Sequence, residues 1–296
     1  MKGDLVVGLG EVLWDVLPEG KKLGGAPCNF AYHVRQFGLE SIAISAIGDD
    51  LLGKEILSTL EKKGIRHQIE TVPYPTGTVQ VEIDQNGIPQ YEIKANVAWD
   101  NIPYTEPLAE LAKRTKAVCF GSLAQRSDVS RNTINRFLDV ILNNGDEHLI
   151  VFDVNLRQDF YNKEILCDSL QRCNVLKIND EELVIVSRLF GLSGIDMHDK
   201  CQDLLEKHRL KMLILTCGIN GSYVFTPDIV SYLPTPKVKV ADTVGAGDSF
   251  TAAFIASILR GESIGEAHRK AVEVSAYVCT QNGAMPVLPN SMTGNA

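Results

Sequence analysis

Short apolar runs alternate along most of the chain with longer segments of helical periodicity, and this alternation constrains the fold most strongly. Several runs are apolar at consecutive positions, which is typical of strands buried on both faces of a sheet. The runs predicted as strands are residues 5–9, 42–47, 117–120, 149–153, 175–178 and 212–216. The segments predicted as helices are residues 29–37, 51–63, 104–113, 129–142, 181–190 and 200–207. This order predicts an α/β fold whose largely parallel sheet is covered by helices.

Two segments depart from this alternation. Residues 76–84 and 91–95 alternate apolar and polar positions around a Gln-Asn-Gly turn, which predicts a β-hairpin with one half-exposed face. Residues 11–22 contain a polar-interrupted strand followed by Pro-Glu-Gly. We interpret residues 11–22 and 76–100 as a small β-sheet lid inserted into one domain that spans residues 1–296. An edge hairpin of the main sheet is the alternative.

The charge and the cysteines of the chain limit its partners and its compartment. The net charge of −8 repels nucleic acid and anionic membranes, so neither is expected as a partner. Seven cysteines without any CxxC pair are typical of a reduced chain. The N-terminus lacks the apolar core of a signal peptide, and no apolar run reaches the ~18 residues that cross a bilayer. We therefore expect a cytoplasmic protein.

Two glycine motifs resemble nucleotide-binding fingerprints but fail on inspection. Gly8-Leu9-Gly10 follows a strand, yet Leu13 stands where the dinucleotide fingerprint needs a third small residue. Residues 48–54 match GxxxxGK, but the following residue is Glu55, so the hydroxyl that binds Mg²⁺ in a P-loop is missing.

The segment Val-Ala-Asp-Thr-Val-Gly-Ala-Gly-Asp-Ser-Phe, residues 240–250, leads into an apolar helix. Gly245, Ala246 and Gly247 are small enough for a ligand to approach the backbone, and the free N–H groups of a helix start bind anions. A carboxylate at Asp248 opposes anion binding, but taking a proton from an attacking hydroxyl requires one. Asp248 is also a good helix N-cap, and these residues alone leave both readings open.

This segment and a second motif together resemble the two signatures of the PfkB or ribokinase family of carbohydrate kinases. The second motif is Gly-Gly-Ala-Pro-Cys-Asn-Phe-Ala, residues 24–31, and the Gly48-Asp49-Asp50 turn is also similar to that family. The resemblance implies a ribokinase-like three-layer αβα sandwich with a β lid. It implies phosphorylation of a sugar hydroxyl with ATP and Mg²⁺ as cofactors, and K⁺ in many members. It makes Asp248 the catalytic base and residues 245–247 the anion hole.

Further site residues follow from the same resemblance. The residues expected to bind the sugar are Asp15, Gly24, Gly25, Asn29 and Arg157. The residues expected at the nucleotide are Asn179, Thr216, Gly218, Gly221 and Asn282. Those expected at metals are Glu182, which would hold Mg²⁺ largely through water, and Asp242 and Thr243 for a monovalent cation. The alternative to a functional role for these residues is a structural one, as part of a tight turn, a helix cap, a solvated strand or a surface salt bridge. Cys28 lies inside the sugar-site motif, and for it a packed thiol is the favoured interpretation.

The choice of sugar is associational. The Gly-Gly-Ala-Pro-x-Asn motif and residues 121–126 and 283–286 resemble bacterial fructokinases, which implies D-fructose as the substrate and fructose 6-phosphate as the product. A 2-keto-3-deoxygluconate or other ketose kinase, a nucleoside kinase and a non-catalytic sugar-binding regulatory protein stay open. A homodimer through the lid is expected, because an exposed half-apolar hairpin invites pairing.

Overall fold

The computed structural model describes residues 5–17, 20–83, 89–145 and 147–294. In these ranges the strands are β1 (Leu5–Leu9), β2 (Leu13–Leu17), β3 (Gly20–Gly24), β4 (Glu40–Gly48), β5 (His67–Val72), β6 (Thr78–Ile83), β7 (Pro89–Ile93), β8 (Thr115–Gly121), β9 (Leu149–Asp153), β10 (Val175–Asn179), β11 (Met212–Thr216), β12 (Ser222–Phe225) and β13 (Val230–Leu233). The helices are α1 (Ala26–Gln36), α2 (Leu51–Lys62), α3 (Glu106–Arg114), α4 (Asp128–Leu142), α5 (Lys163–Arg172), α6 (Asp180–Phe190), α7 (Met197–Lys207), α8 (Ala246–Leu259), α9 (Ile264–Cys279) and α10 (Asn290–Thr293). Short 3₁₀ turns cover Ala98–Asn101, Leu123–Arg126 and Gly218–Asn220.

The main sheet has the strand order β13-β12-β11-β10-β9-β8-β1-β4-β5. The strands from β11 to β5 are parallel to one another, and β12 and β13 continue the sheet antiparallel at one edge. Adjacent residues of one strand face different cores: Val7 packs among α3 to α7, whereas Val6 packs among α1, α8 and α9. Helices therefore cover both faces, and the predicted three-layer α/β fold is confirmed.

The predicted strands agree closely with the observed ones, whereas several helices begin earlier than predicted. The helix predicted from residue 29 begins at Ala26, because Gly25 has a positive φ of 112° and Pro27 fits the first turn. The helix predicted from residue 200 begins at Met197, where Asp196 accepts a hydrogen bond from the Asp199 N–H. Proline in the first turn of α1 and polar residues in the first turn of α7 conceal the apolar period on which the sequence-based prediction relied.

A second, smaller sheet has the order β3-β2-β6-β7. β2 pairs antiparallel with β3 and parallel with β6, while β6 and β7 form the predicted hairpin. The hairpin therefore belongs to this separate sheet, and the alternative of an edge hairpin of the main sheet is wrong. The predicted turns lie partly outside the described residues, which omit 18–19 and 84–88.

Of the described helices, none is long and apolar enough to cross a membrane. Each of the seven cysteines is a free thiol.

Candidate active site

The predicted site residues gather where the central parallel strands end. Asp153 is the last residue of β9, Asn179 is the last of β10, and Thr216 is the last of β11. The carboxyl ends of parallel strands are the usual ligand-binding edge of an open α/β sheet. The first turn of α8 lies at the same edge, because Gly247 packs against the Lys177 side chain of β10. The small sheet is nearby, because Lys22 of β3 contacts Asp242, which precedes α8.

Asp248 occupies the first turn of α8 without capping it. The N-cap is Gly245, with φ of 78°, and the Asp248 carboxylate instead accepts a 2.7 Å hydrogen bond from Nδ2 of Asn29 in α1. Burial and the nearby Asp153 carboxylate raise the pKa of Asp248 to about 6, against the lowering effects of Asn29, Lys177 and Arg157. This geometry favours the carboxylate of a base over a helix cap.

The small residues of the same turn are required by close packing. A Cβ on Gly245 would lie 2.6 Å from the Ala284 side chain, and one on Gly247 would lie 3.1 Å from Nζ of Lys177. The N–H of Ala246 donates to the Thr243 carbonyl at 3.3 Å. The following N–H groups belong to a helix start that lacks intrahelical acceptors, so this turn can receive an anion.

Lys177 is a site residue that the sequence reasoning missed. Its ammonium is buried and forms an ion pair with Asp153 at 3.1 Å. Burial alone would lower the pKa of Lys177, but Asp153, Glu182 and Asp248 raise it, so the side chain stays charged. A lysine inside the otherwise apolar run 175–178 was the available signal, because an unpaired charge is rarely buried.

Asn179 and Glu182 form a helix capping box at the start of α6. Oδ1 of Asn179 accepts from the Glu182 N–H at 2.8 Å, and the Glu182 carboxylate accepts from the Asn179 N–H at 2.9 Å and the Leu156 N–H at 3.0 Å. Burial raises the pKa of Glu182, while Lys177 opposes that shift. Within the described ranges, no group of three His, Cys, Asp or Glu residues could hold a metal by itself. A divalent ion here would keep most of its waters, which suits Mg²⁺.

The residues expected at the sugar lie between the two sheets. Gly24 must be glycine, since a Cβ there would lie 2.4 Å from Oδ2 of Asp15. Burial raises the pKa of Asp15 to about 6, partly offset by the positive charge of Arg157. Arg157 is exposed, and its guanidinium donates to the Leu156 carbonyl. No carboxylate of the described chain lies within ion-pair distance of Arg157, but its positive charge lowers the pKa of both Asp15 and Asp248. Gly25 precedes α1, and a Cβ on it would lie 2.3 Å from the Glu11 carbonyl oxygen.

The residues expected at the nucleotide lie at the next strand end. Thr216 leads into a 3₁₀ turn bounded by Gly218 and Gly221, whose φ values are 52° and 97°. Both angles lie in the left-handed region that favours glycine. Asn282 is exposed in the segment that follows α9.

Asp242 shapes the segment that precedes α8. Its carboxylate accepts from the N–H groups of Val244 at 3.0 Å and Gly283 at 3.1 Å, and the Lys22 ammonium lies 3.6 Å away. Burial alone would raise the pKa of Asp242, but these hydrogen bonds and Lys22 lower it. The Thr243 side chain is exposed, and its carbonyl accepts from Ala246. The expected cation ligands therefore sit beside the anion-binding turn, with the carboxylate already hydrogen-bonded.

Two further residues explain motifs noted in the sequence. Asp50 caps α2 through the Gly53 N–H and also accepts from Thr76, so the apparent P-loop is a capped turn tied to the segment just before β6.

Cys28 is buried, and burial together with Asp248 and Glu11 raises the pKa of its thiol to about 12. A packed, unreactive thiol follows.

Comparison with known proteins decides the family. The family described as "pfkB family carbohydrate kinase" matches residues 15–291. This chain belongs to that family. The kinase is 28% identical to fructokinase from Salmonella typhimurium over 300 residues, covering 95% of each chain. Its fold matches fructokinase from Xylella fastidiosa with bound ATP, with a TM-score of 0.84 at 20% identity, covering 98% and 96% of the two chains. It also matches a double mutant of fructokinase from Vibrio cholerae O395 described with fructose, ADP and potassium ion, with a TM-score of 0.81 at 21% identity, covering 98% and 97%.

Proposed function

We propose that this carbohydrate kinase transfers the γ-phosphoryl group of ATP to the 6-hydroxyl of D-fructose. The observation that carries the proposal is Asp248, held by Asn29 beside an anion-binding helix start and the buried ammonium of Lys177. Support for fructose comes from relatives named fructokinase in bacteria and plants. The identities near 28% support phosphorylation of a sugar more strongly than they support one sugar.

Asp248 acts as the general base in this proposal. Asn29 donates to Oδ2, which orients the carboxylate and leaves Oδ1 free to accept the proton of the attacking hydroxyl. The raised pKa of about 6 makes the carboxylate a stronger base than an ordinary aspartate, yet it remains ionised at neutral pH. The proton moves to Asp248 as the hydroxyl oxygen attacks the γ-phosphorus.

Charge on the transferred phosphoryl group is stabilised by the first turn of α8. In this proposal the helix start at residues 245–247 forms the anion hole, and the ammonium of Lys177 supplies a further positive charge there. Mg²⁺ bound with ATP would neutralise phosphate charge, and Glu182 and Asn179 would hold its waters. Asp242 and Thr243 would bind a monovalent cation such as K⁺ through their carbonyl oxygens, next to this turn.

The small sheet acts as the lid in this proposal. Asp15 and Gly24 would bind sugar hydroxyls beneath it, and Arg157 would close the opposite side of the cleft. Thr216, Gly218, Gly221 and Asn282 would border the nucleotide. Excluding water at this cleft would suppress wasteful hydrolysis of ATP. We further propose a cytoplasmic kinase that pairs through its lid.

A second acceptor is favoured by one feature of the cleft. The Arg157 guanidinium is exposed and unpaired by any described carboxylate, so it could bind the carboxylate of 2-keto-3-deoxygluconate. The retained Asp248 turn disfavours a non-catalytic sugar-binding protein, because binding alone does not need a carboxylate beside the phosphate.

The deciding assay measures ADP release with ATP, Mg²⁺ and K⁺ on fructose, ribose, 2-keto-3-deoxygluconate and adenosine. Asp248→Asn should lower kcat by about 10²–10⁴-fold, because the amide cannot take the proton. Asp128→Asn, an exposed residue of α4, is the matched control and should keep wild-type turnover. Full activity of Asp248→Asn would remove that residue from the mechanism. Selective turnover of another acceptor would replace fructose.

A further inference from the structure

Glu11 is a buried acid that the proposed mechanism does not use. It lies two residues after the end of β1, it is 3% exposed, and its Oε1 accepts a hydrogen bond from the Ala26 N–H at 3.3 Å. Oε2 is buried and has no hydrogen-bond partner among the described residues. A carboxylate buried with so few partners costs more than the neutral acid would, because the ion also loses the solvation of its charge.

The groups that face Glu11 do not neutralise a charge on it. The carboxylate of Asp248 in α8 is close enough to disfavour ionisation, and the exposed Arg157 after β9 favours it. The thiols of Cys28 in α1 and Cys119 in β8 also lie within electrostatic range. In the described part of the chain, no lysine or arginine lies within ion-pair distance of Glu11. Burial, the largest effect, raises the pKa of Glu11 to about 7, although the backbone N–H groups of Glu11 itself and of Ala26 lower it.

A chain of contacts connects Glu11 to the base. Its carbonyl oxygen packs against Gly25, the N-cap of α1, and its carboxyl group accepts a hydrogen bond from the N–H of Ala26, the first residue of α1. Glu11 therefore contacts both residues at the start of this helix. The Asn29 N–H donates to the Gly25 carbonyl at 3.0 Å, and Nδ2 of Asn29 donates to Asp248. Oδ1 of Asn29 is a second buried acceptor without a described partner. A protonated Glu11 would add a donor to this interior, whereas the carboxylate is an acceptor only.

We propose that Glu11 is a positioning residue that works as a neutral carboxylic acid and holds the first turn of α1 so that Asn29 orients Asp248. This inference rests on the proposed role of Asp248 as base. Loss of the Glu11 proton would place an unpaired negative charge beside Asp248 and the incoming phosphoryl group. We expect phosphoryl transfer to slow as that proton is lost.

The first test compares the stability of wild type and Glu11→Gln across pH and needs no activity. An acid whose pKa is raised on folding contributes stability that is present below its unfolded value of 4.5 and lost as pH rises toward about 7. The amide does not titrate. The unfolding constant of Glu11→Gln relative to wild type should therefore fall on the order of 100-fold between about pH 4.5 and about pH 7.5. A ratio that is constant across this range would overturn the proposal.

The matched control is Glu266→Gln. Glu266 also accepts a backbone N–H, in the capping box of α9, but it is exposed and Ser263 lowers its pKa. Its variant should lose stability relative to wild type as pH rises, the opposite direction. If Glu11→Gln does not fold, wild-type protein carrying ¹³C-glutamate decides instead by NMR. One side-chain carboxyl carbon should titrate near pH 7, and titration of every glutamate below about pH 5.5 would overturn the proposal.

The second test is the pH profile of kcat/KM with the best acceptor. Glu11→Gln should retain the acid limb set by Asp248 and should lose the decline that wild type shows as Glu11 ionises. An acid limb shifted to lower pH in the variant would mean that Glu11 is charged while Asp248 works, and would overturn the proposal. A profile identical to wild type would also overturn it. If no acceptor is phosphorylated, the proposed function fails, and the stability comparison still decides the state of Glu11.

Discussion

At the scale of single residues, the candidate site contains buried charges, each of which would destabilise the fold if its oppositely charged neighbour were absent. Asp153, Lys177 and Asp248 are held together by the ends of β9, β10 and the start of α8. Each of the two aspartates gains from the lysine, and the lysine retains its proton because of them. Removing Lys177 therefore alters the pKa of Asp248 as well as the local charge.

Lys177→Met should lower kcat by about 10²–10³-fold, because a fixed positive charge near the transferred phosphoryl group is lost. It should also move the acid limb of kcat/KM to higher pH, since Lys177 lowers the pKa of Asp248. The unpaired Asp153 carboxylate should destabilise the fold by about 3–5 kcal/mol, measured by denaturant unfolding.

The double variant Lys177→Met with Asp153→Asn is the control for that stability loss. Removing both charges should recover most of the stability but little of the activity. Recovery of full turnover in the double variant would show that the lysine acts only by neutralising Asp153.

At the scale of elements, Arg126 joins the residue after β7, the 3₁₀ turn Ala98–Asn101 and the segment after β9 that carries Arg157. It lies in the 3₁₀ turn after β8, and its guanidinium donates to Asp100 at 2.7 and 2.9 Å and to the Lys94 carbonyl at 2.5 Å. Its flat faces lie 4.1 Å from the Trp99 ring and 4.4 Å from the Phe160 ring. The buried Arg126 side chain therefore contacts both the residue that follows β7 of the small sheet and the segment that carries Arg157.

Arg126→Lys should raise the KM for the sugar acceptor by about 10-fold or more with a smaller effect on the KM for ATP. Lysine cannot reproduce the paired hydrogen bonds to Asp100 together with stacking on both rings. Steady-state kinetics with each substrate varied in turn measures this. Arg136→Lys, which removes stacking on Tyr104 at 3.9 Å, is the control and should leave both KM values unchanged. Equal effects on both substrates would contradict a role in seating the lid.

At the scale of the whole molecule, the small sheet leaves two edge strands, β3 and β7, without a partner strand in the described chain. Unpaired strand edges are templates for pairing with another chain. The main sheet also ends in two edge strands, β13 and β5, but helices cover both of its faces.

The kinase should therefore sediment as a homodimer at micromolar concentration and dissociate on dilution with a loss of turnover per chain. Analytical ultracentrifugation combined with activity at matched concentrations tests both parts. A monomer at every concentration would contradict pairing through the lid, and the lid would then close only on the main sheet of its own chain.

Much of the architecture was determined by the sequence itself. Consecutive apolar residues in runs such as 149–153 and 212–216 predict buried parallel strands, and period-two alternation in 76–84 predicts the hairpin, because both patterns are local. The resemblance of residues 24–31 and 240–250 located Asp248 and its turn in the same way. Element boundaries at Ala26 and Met197 were less accurate, since a Gly-Ala-Pro start at the first helix and polar residues at the second conceal the apolar period.

Only the tertiary structure decided which distant residues meet. Asn29 and Asp248 are separated by 219 positions, and no spacing rule indicates their hydrogen bond. The same holds for Lys177 with Asp153 and for Glu11 with the start of α1. Their charges and protonation depend on burial and on neighbours brought together by the sheet. A residue's type can be read locally, but its pKa depends on three-dimensional surroundings that exist only after folding.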